Sequence, residues 1–213
     1  MFWDPPPTID REPATGAVLL TGIPGSGKST VAAALAARFQ RSAHVEVDGL
    51  QGLIVSGGRW PSMTQDAEAD RQIFLRARNA CLLAGSFLAA GFLPVLDDVV
   101  VRRAHLDFYR TTLTAGPLHV VVLAPGPAVA WQRNLAREKA LTTDWSPLDE
   151  AMHSELAHQG IWIDNAKQSV EETVEEILSA TGLTHLASAS PSKSATATAT
   201  SLSPRPPAPA SSE

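Results

Sequence analysis

Eight consecutive residues, Gly22-Ile-Pro-Gly-Ser-Gly-Lys-Ser29, constrain this chain more than any other feature. They satisfy G-x-x-x-x-G-K-[ST]. The continuously apolar run Ala17-Val-Leu-Leu-Thr21 precedes them, and a stretch rich in alanine and leucine, Ser29 to Phe39, follows without a helix breaker. A short apolar run ended by glycine reads as a strand buried on both faces of a parallel sheet, and the stretch beyond it as a helix. Between such neighbours the pattern is a phosphate-binding loop. Its glycines let the backbone turn so that successive N–H groups converge on phosphate oxygens, and the helix N-terminus adds a favourable dipole. The expected nucleotide-contacting residues are Gly22, Gly25, Ser26, Gly27, Lys28, Ser29 and Thr30. Lys28 brings a point charge to the β and γ phosphates, and Ser29 offers a hydroxyl to Mg²⁺. The competing glycine motif, a dinucleotide fingerprint, fails because Gly25-Ser-Gly-Lys-Ser-Thr30 lacks its last glycine.

The alternation of strand and helix continues. His44-Val-Glu-Val-Asp48 is predicted as a second strand, Thr64 to Ala90 as a long helix closed by Gly91, and Phe92 to Asp98 as a third strand. Pro94 weakens that strand, because proline has no ladder donor and belongs near a strand start or an edge. Arg103 to Ala115 reads as helix, His119 to Leu123 as strand, and Ala128 to Lys139 and Ser146 to His158 as helices. Ile161 to Asp164 is a last short strand. Ser169 to Ala180 is a final helix, with Val170, Val174, Ile177 and Leu178 on one face. Five strands alternating with helices predict an α/β fold of three layers around a mostly parallel sheet, the P-loop NTPase arrangement.

The 213 residues, 44% of them apolar, suffice for one domain, expected over residues 14–186. Residues 1–13, with Pro5-Pro6-Pro7 and Pro13, read as an extended lead-in. Residues 187–213 are mainly Ala, Ser, Thr and Pro and cannot bury enough surface to offset their ordering entropy, so a disordered tail is expected. No basic region precedes an apolar stretch at the N-terminus, and no segment approaches the roughly eighteen apolar residues that span a bilayer, so a cytoplasmic protein is expected. The single cysteine, Cys81, rules out an internal disulfide and a thiolate metal site and reads as a small core residue. A net charge of −5 argues against an extended nucleic-acid footprint.

Asp97 and Asp98 close the third strand at the carboxyl edge of the sheet, where ligands of open α/β folds collect. One of them is expected to face Ser29 through the metal. Successive strand residues point to opposite sides, so the two cannot share that role. Asp48, ending the second strand, is placed to orient an acceptor hydroxyl and take its proton; the alternative is an N-cap for the segment after Gly49. Glu46 lies on the same face but deeper. Arg59 and Trp60 sit in a glycine-bearing loop that suits either a substrate cover or an ordinary surface loop. Arg133 and Arg137, four apart after the fourth strand, share a helix face from which they can bring positive charge to a transferring phosphate, or pair at the surface. Arg71, Arg76 and Arg78 read as solvated or paired. His44, His105, His119, His153 and His158 carry no metal-ligand spacing.

In this arrangement the chain resembles the small P-loop kinases, and within them the chloramphenicol phosphotransferase-like group, itself allied to the broader AAA-type and zeta-toxin-like kinases. The resemblance covers about residues 17–181. It rests on Gly22 to Thr30, on Val47-Asp48-Gly-Leu50 and on Val95-Leu-Asp-Asp-Val99. It implies ATP and Mg²⁺, transfer of the γ-phosphate to a hydroxyl of a small molecule, Asp48 as the base, Lys28, Arg133 and Arg137 around the transferring group, and metal ligation by Ser29 with Asp97 or Asp98. It also implies that Ile163-Asp-Asn165, with the helix after Ser169, closes by the adenine. The Trp145-Ser-Pro stretch departs from the lid of these kinases. A toxin-like kinase or regulator acting on a larger partner shares every feature above. A GTPase does not, because no Asn-Lys-x-Asp follows the fourth strand.

Overall fold

The computed structural model describes residues 16–61, 66–135 and 144–183. Among these residues five strands form one sheet: β1 (Ala17–Thr21), β2 (Ser42–Glu46), β3 (Leu93–Asp97), β4 (Leu118–Leu123) and β5 (Ile161–Ile163). Their spatial order is β2-β3-β1-β4-β5. Every pairing is parallel, so the expected mostly parallel sheet is wholly so.

Among the described residues seven helices cover it: α1 (Lys28–Ala36), α2 (Val47–Gln51), α3 (Ala67–Ala89), α4 (Arg103–Thr112), α5 (Pro127–Leu135), α6 (Ser146–Glu155) and α7 (Val170–Thr181). The period-2 alternation of the strands creates two cores. Val18, Leu20, Val95, Val121 and Leu123 face α1 and α7, packing with Val31, Leu35, Val174 and Ile177. Ala17, Leu19, Leu96, Val120 and Val122 face the opposite layer, with Ala77, Ala80 and Cys81 of α3, Leu106 and Tyr109 of α4, and Met152 of α6. Each fully buried leucine contributes about 2 kcal/mol, so β1, buried on both faces, anchors both layers at once.

α3 starts where the Asp66 side chain accepts from the Glu68 and Ala69 amides, and the chain leaves it at Gly91, φ 76°. α7 carries a capping box between Ser169 and Glu172. Pro94, second residue of β3, stands opposite Ala43 before the pairing with β1 begins at Val95, consistent with a strand start. Cys81 is buried, and that burial pushes its thiol up to about 11.

The second strand needs correcting. It ends at Glu46 rather than Asp48, because its partner β3 ends at Asp97, opposite Glu46. Beyond that pair the β2–β3 ladder stops and the chain turns into α2, with Asp48 in the first turn, where a carboxylate is favoured. Glu46 is exposed rather than deep. The expected lead-in, the expected tail and residues 136–139 of the expected helix lie outside the described residues. Among the described residues no helix is long and apolar enough to cross a membrane.

Candidate active site

The loop after β1 folds as its glycines require. Ser26 N–H donates to the Ile23 carbonyl at 3.0 Å, and Gly25 and Gly27 lie at φ 87° and 97°. A Cβ on Gly25 would stand 2.1 Å from the Ala130 carbonyl oxygen, so the loop fits beneath α5 only with hydrogen at that position. Lys28 opens α1, is 8% exposed, and donates from Nζ to the Ile23 carbonyl at 3.3 Å across the loop. The Ser29 hydroxyl lies 3.4 Å from Asp97 Oδ1.

Arg133, on α5, reaches the same loop. Its guanidinium donates to the Ser26 carbonyl at 3.4 Å and to the Asn165 carbonyl at 2.8 Å. Asn165 Nδ2 donates to the Ser26 carbonyl at 3.0 Å, so the segment after β5 closes onto the phosphate loop. Arg133 and Asn165, with Gly25, Gly27, Thr30 and Thr173, border a cleft of about 330 Å³. It is large enough for a flat heterocycle with a ribose and opens onto the loop. Arg137 lies outside the described residues. A roomier cleft of about 550 Å³ lies between Trp131 and Trp145, with Asp144 on its wall, but neither the phosphate loop nor Asp48, Asp97 or Asp98 lines it.

The two aspartates at the end of β3 divide as strand geometry demands. Asp97 faces Ser29, and His44 Nε2 lies 2.5 Å from its other oxygen. That hydrogen bond lifts His44 above its ordinary range, against the lowering effect of burial. Asp98 points to the α3–α4 side. Its carboxylate accepts from Arg76 Nη2 at 3.1 Å, Tyr109 Oη at 2.8 Å and the Val99 amide at 2.8 Å, with His105 Nε2 at 3.3 Å. The Thr21 hydroxyl donates to the Val100 carbonyl and accepts from its amide, fixing the turn that presents both carboxylates. Burial alone would push Asp98 up; His105, Arg76 and Tyr109 outweigh it and hold the carboxyl below its ordinary range.

A group depressed on folding stabilises the native state above its unfolded pKa, and that contribution is lost as pH falls through the folded value. Acid titration is therefore expected to lower the urea midpoint progressively below about pH 4, the ordinary carboxylate range. Asp98→Asn is expected to make the fall shallower. Parallel slopes for the two proteins between pH 5 and 3 would contradict the assignment.

Asp48 lies near this cluster at the mouth of the site. About half of its side chain is exposed (47%), and Arg76 Nη1 donates to it at 3.0 Å. Partial burial lifts its carboxyl above the ordinary range, while the Arg76 charge pulls it down. Arg59 and Trp60 are exposed, at 64% of the arginine side chain and 57% of the tryptophan. The buried pair Gln51 and Gln72 holds their loop, with Gln72 bonding Gly57 and Arg59 backbone and Gln51 the Arg59 carbonyl.

Sequence reasoning missed Arg76 and His44. A signal for Arg76 exists: it continues the stripe Ala69, Gln72, Arg76, Ala80, Ala84, Leu88, whose spacing of three or four marks the buried face of α3. An arginine on such a face requires carboxylate partners. His44 has no comparable signal, because its contact depends on the register of β2 against β3.

Among the described residues no three His, Cys, Asp or Glu side chains converge as a metal cage. The hydroxyl of Ser29 beside the carboxylate of Asp97 is a hard, oxygen-only donor pair. It fits Mg²⁺, which keeps waters and shares phosphate oxygens.

A family model described as an AAA domain matches residues 18–160. No curated protein matches the chain. Several solved structures share the fold. A gluconokinase from Sinorhizobium meliloti 1021 has a TM-score of 0.57 and 20% identity, covering 80% of this chain and 94% of its own. The tunicamycin resistance protein of Deinococcus radiodurans has 0.59 and 19%, covering 80% and 97%. The Mycobacterium tuberculosis APS kinase, in complex with AMPPNP and APS, has 0.58 and 19%, covering 81% and 100%.

Proposed function

The chain belongs to the AAA domain family, and from that premise we propose that it is an ATP-dependent phosphotransferase that moves the γ-phosphate to a hydroxyl of a small molecule. The observation that carries this reading is the convergence at one end of the sheet of a phosphate loop with buried Lys28, the Ser29–Asp97 pair, and the solvent-facing carboxylate of Asp48. A nucleotide-binding fold alone needs no carboxylate open to an incoming hydroxyl. The likeness to structures named as gluconate and APS kinases supports the same class. ATP supply suits a cytoplasmic setting.

In the proposed reaction the loop amides and Lys28 hold the β and γ phosphates, and Arg133 approaches from α5. Mg²⁺, when bound at Ser29 and Asp97, supplies charge neutralisation on the phosphate oxygens. Asp48 orients the acceptor hydroxyl and accepts its proton. The acceptor oxygen forms its bond to the γ-phosphorus as the bridging P–O bond breaks, and ADP departs with that electron pair. Asp98 stays out of the metal shell, because its oxygens are committed to Arg76, Tyr109 and Val99.

The test is a screen of small hydroxylated compounds, among them sugars, sugar acids, nucleosides and antibiotics, with Mg-ATP and detection of phosphorylated product by mass. One compound should gain the mass of a phosphoryl group, with ADP formed in equal amount. Phosphorylation confined to a protein or nucleic acid would overturn the small-molecule reading in favour of a kinase acting on a larger partner.

A further inference from the structure

The following rests on the reading of Asp48 as the acceptor-side base. Asp48 sits on a five-residue helix after an edge strand, and among the described residues Arg76 is the one hydrogen-bond donor to its carboxylate. Arg76 differs sharply from its partner. Its side chain is 5% exposed, it rises from the middle of the 23-residue α3, and its second nitrogen is tied to Asp98. Asp98 is fixed in turn by the Tyr109 hydroxyl and the Val99 amide, with His105 alongside. A rigid buried anchor thus ends, through one guanidinium, on a half-exposed carboxylate.

As a stability device this arrangement is poor. A buried ion pair recovers little beyond its desolvation cost, and an apolar pair would hold α3 against β3 as well. Here one arginine faces two carboxylates, and its Nε is buried without a hydrogen-bond partner. Stability alone does not account for such a placement, whereas positioning a reactive group does.

We propose that Arg76 is a positioning residue for phosphoryl transfer: anchored on buried Asp98, its guanidinium holds the Asp48 carboxylate oriented toward the acceptor hydroxyl. The charged groups facing Asp48 are Arg76 from α3, Asp98 and Asp97 from the end of β3, and Lys28 from α1. Burial and the two aspartates favour the protonated acid; Arg76 is the foremost of the charges opposing them. Without it the base is protonated over more of the working pH range and free to change rotamer.

The experiment follows the Asp48 side-chain carboxyl by carbon-13 NMR across pH, together with Mg-ATP turnover. Arg76→Met alone strands Asp98 and is expected to lower the melting temperature. The Arg76→Met/Asp98→Asn double variant removes both buried charges and should recover much of that loss. In Arg76→Met the Asp48 titration should move up by about one unit, the low end for loss of an adjacent opposite charge; in the double variant it should still move up, but by less, because removing the Asp98 charge offsets part of the loss. Turnover near pH 6 should fall at least tenfold, the nucleotide KM staying within about twofold. Arg76→Lys, which keeps the charge but not the fork that spans both carboxylates, should fall between the two. Turnover within twofold of wild type in the folded double variant, with an unshifted Asp48 titration in Arg76→Met, overturns the proposal. Asp48→Asn separates the two readings. If it is inactive while the double variant is normal, only the positioning role fails; if it is fully active, the base reading fails and takes the positioning role with it.

Discussion

Lys28→Ala is expected to lower Mg-ATP turnover about a thousandfold, in keeping with the loss of a cation from the charge that develops on a transferring phosphoryl group. The reason lies in where the ammonium is held. Lys28 opens α1 and reaches back over its own loop to the Ile23 carbonyl, largely out of solvent. A charge in that setting is little screened by water, so its loss is felt more than that of a surface lysine. Alanine suits a helix start and leaves the loop glycines untouched, so thermal melting should stay within a few degrees of wild type. Steady-state turnover beside calorimetric titration with Mg-ATP tests this. Turnover within tenfold of wild type would place the phosphates elsewhere.

Asp48→Asn is expected to reduce phosphoryl transfer by about 10² to 10⁴, the range for a general base, while leaving the nucleotide KM within about twofold. Asparagine keeps the shape and a hydrogen bond to Arg76 through its carbonyl oxygen, but takes no proton. The pH dependence gives a sharper reading. The Asp48 carboxyl is lifted above its ordinary range by burial, and only its ionised form accepts a proton. Wild-type kcat/KM should therefore fall as pH drops through that raised value, and the acid limb should vanish in Asp48→Asn. Equal rates for the two proteins on the same acceptor would sink the assignment.

The parts of this molecule that local sequence governs were legible in it. The apolar run at Ala17, the glycines of the loop and the alanine-rich helix after it are neighbours in the chain, and β1, the loop and α1 formed there, α1 ending at Ala36 rather than Phe39. The end of β2 was not legible, because a strand stops where its partner stops; Asp97 decides the fate of Val47 and Asp48 from some fifty residues away. The choice between Asp97 and Asp98 was equally closed to the sequence. Alternation says that they diverge, but only the packing of α3 and α4 says that Asp98 is the one claimed by Arg76 and Tyr109. His44 belongs to the same class: its contact exists only once two parallel strands have found their register.

The sheet also has two borders. β5, at one, is only three residues long, too short to template another chain effectively. β2, at the other, has five residues, and its outer row of amides and carbonyls has no strand of this sheet beside it. There the sequence reads Ser-Ala-His-Val-Glu, with an ionisable residue at two of five positions and a single buried valine. A run of valine and isoleucine at that border would invite a second molecule to add its own strand; charged positions at an edge disfavour that pairing. Replacing His44 and Glu46 with apolar β-formers would therefore risk a loss of solubility before any loss of fold, a vulnerability that the chemistry at the centre of the sheet gives no hint of.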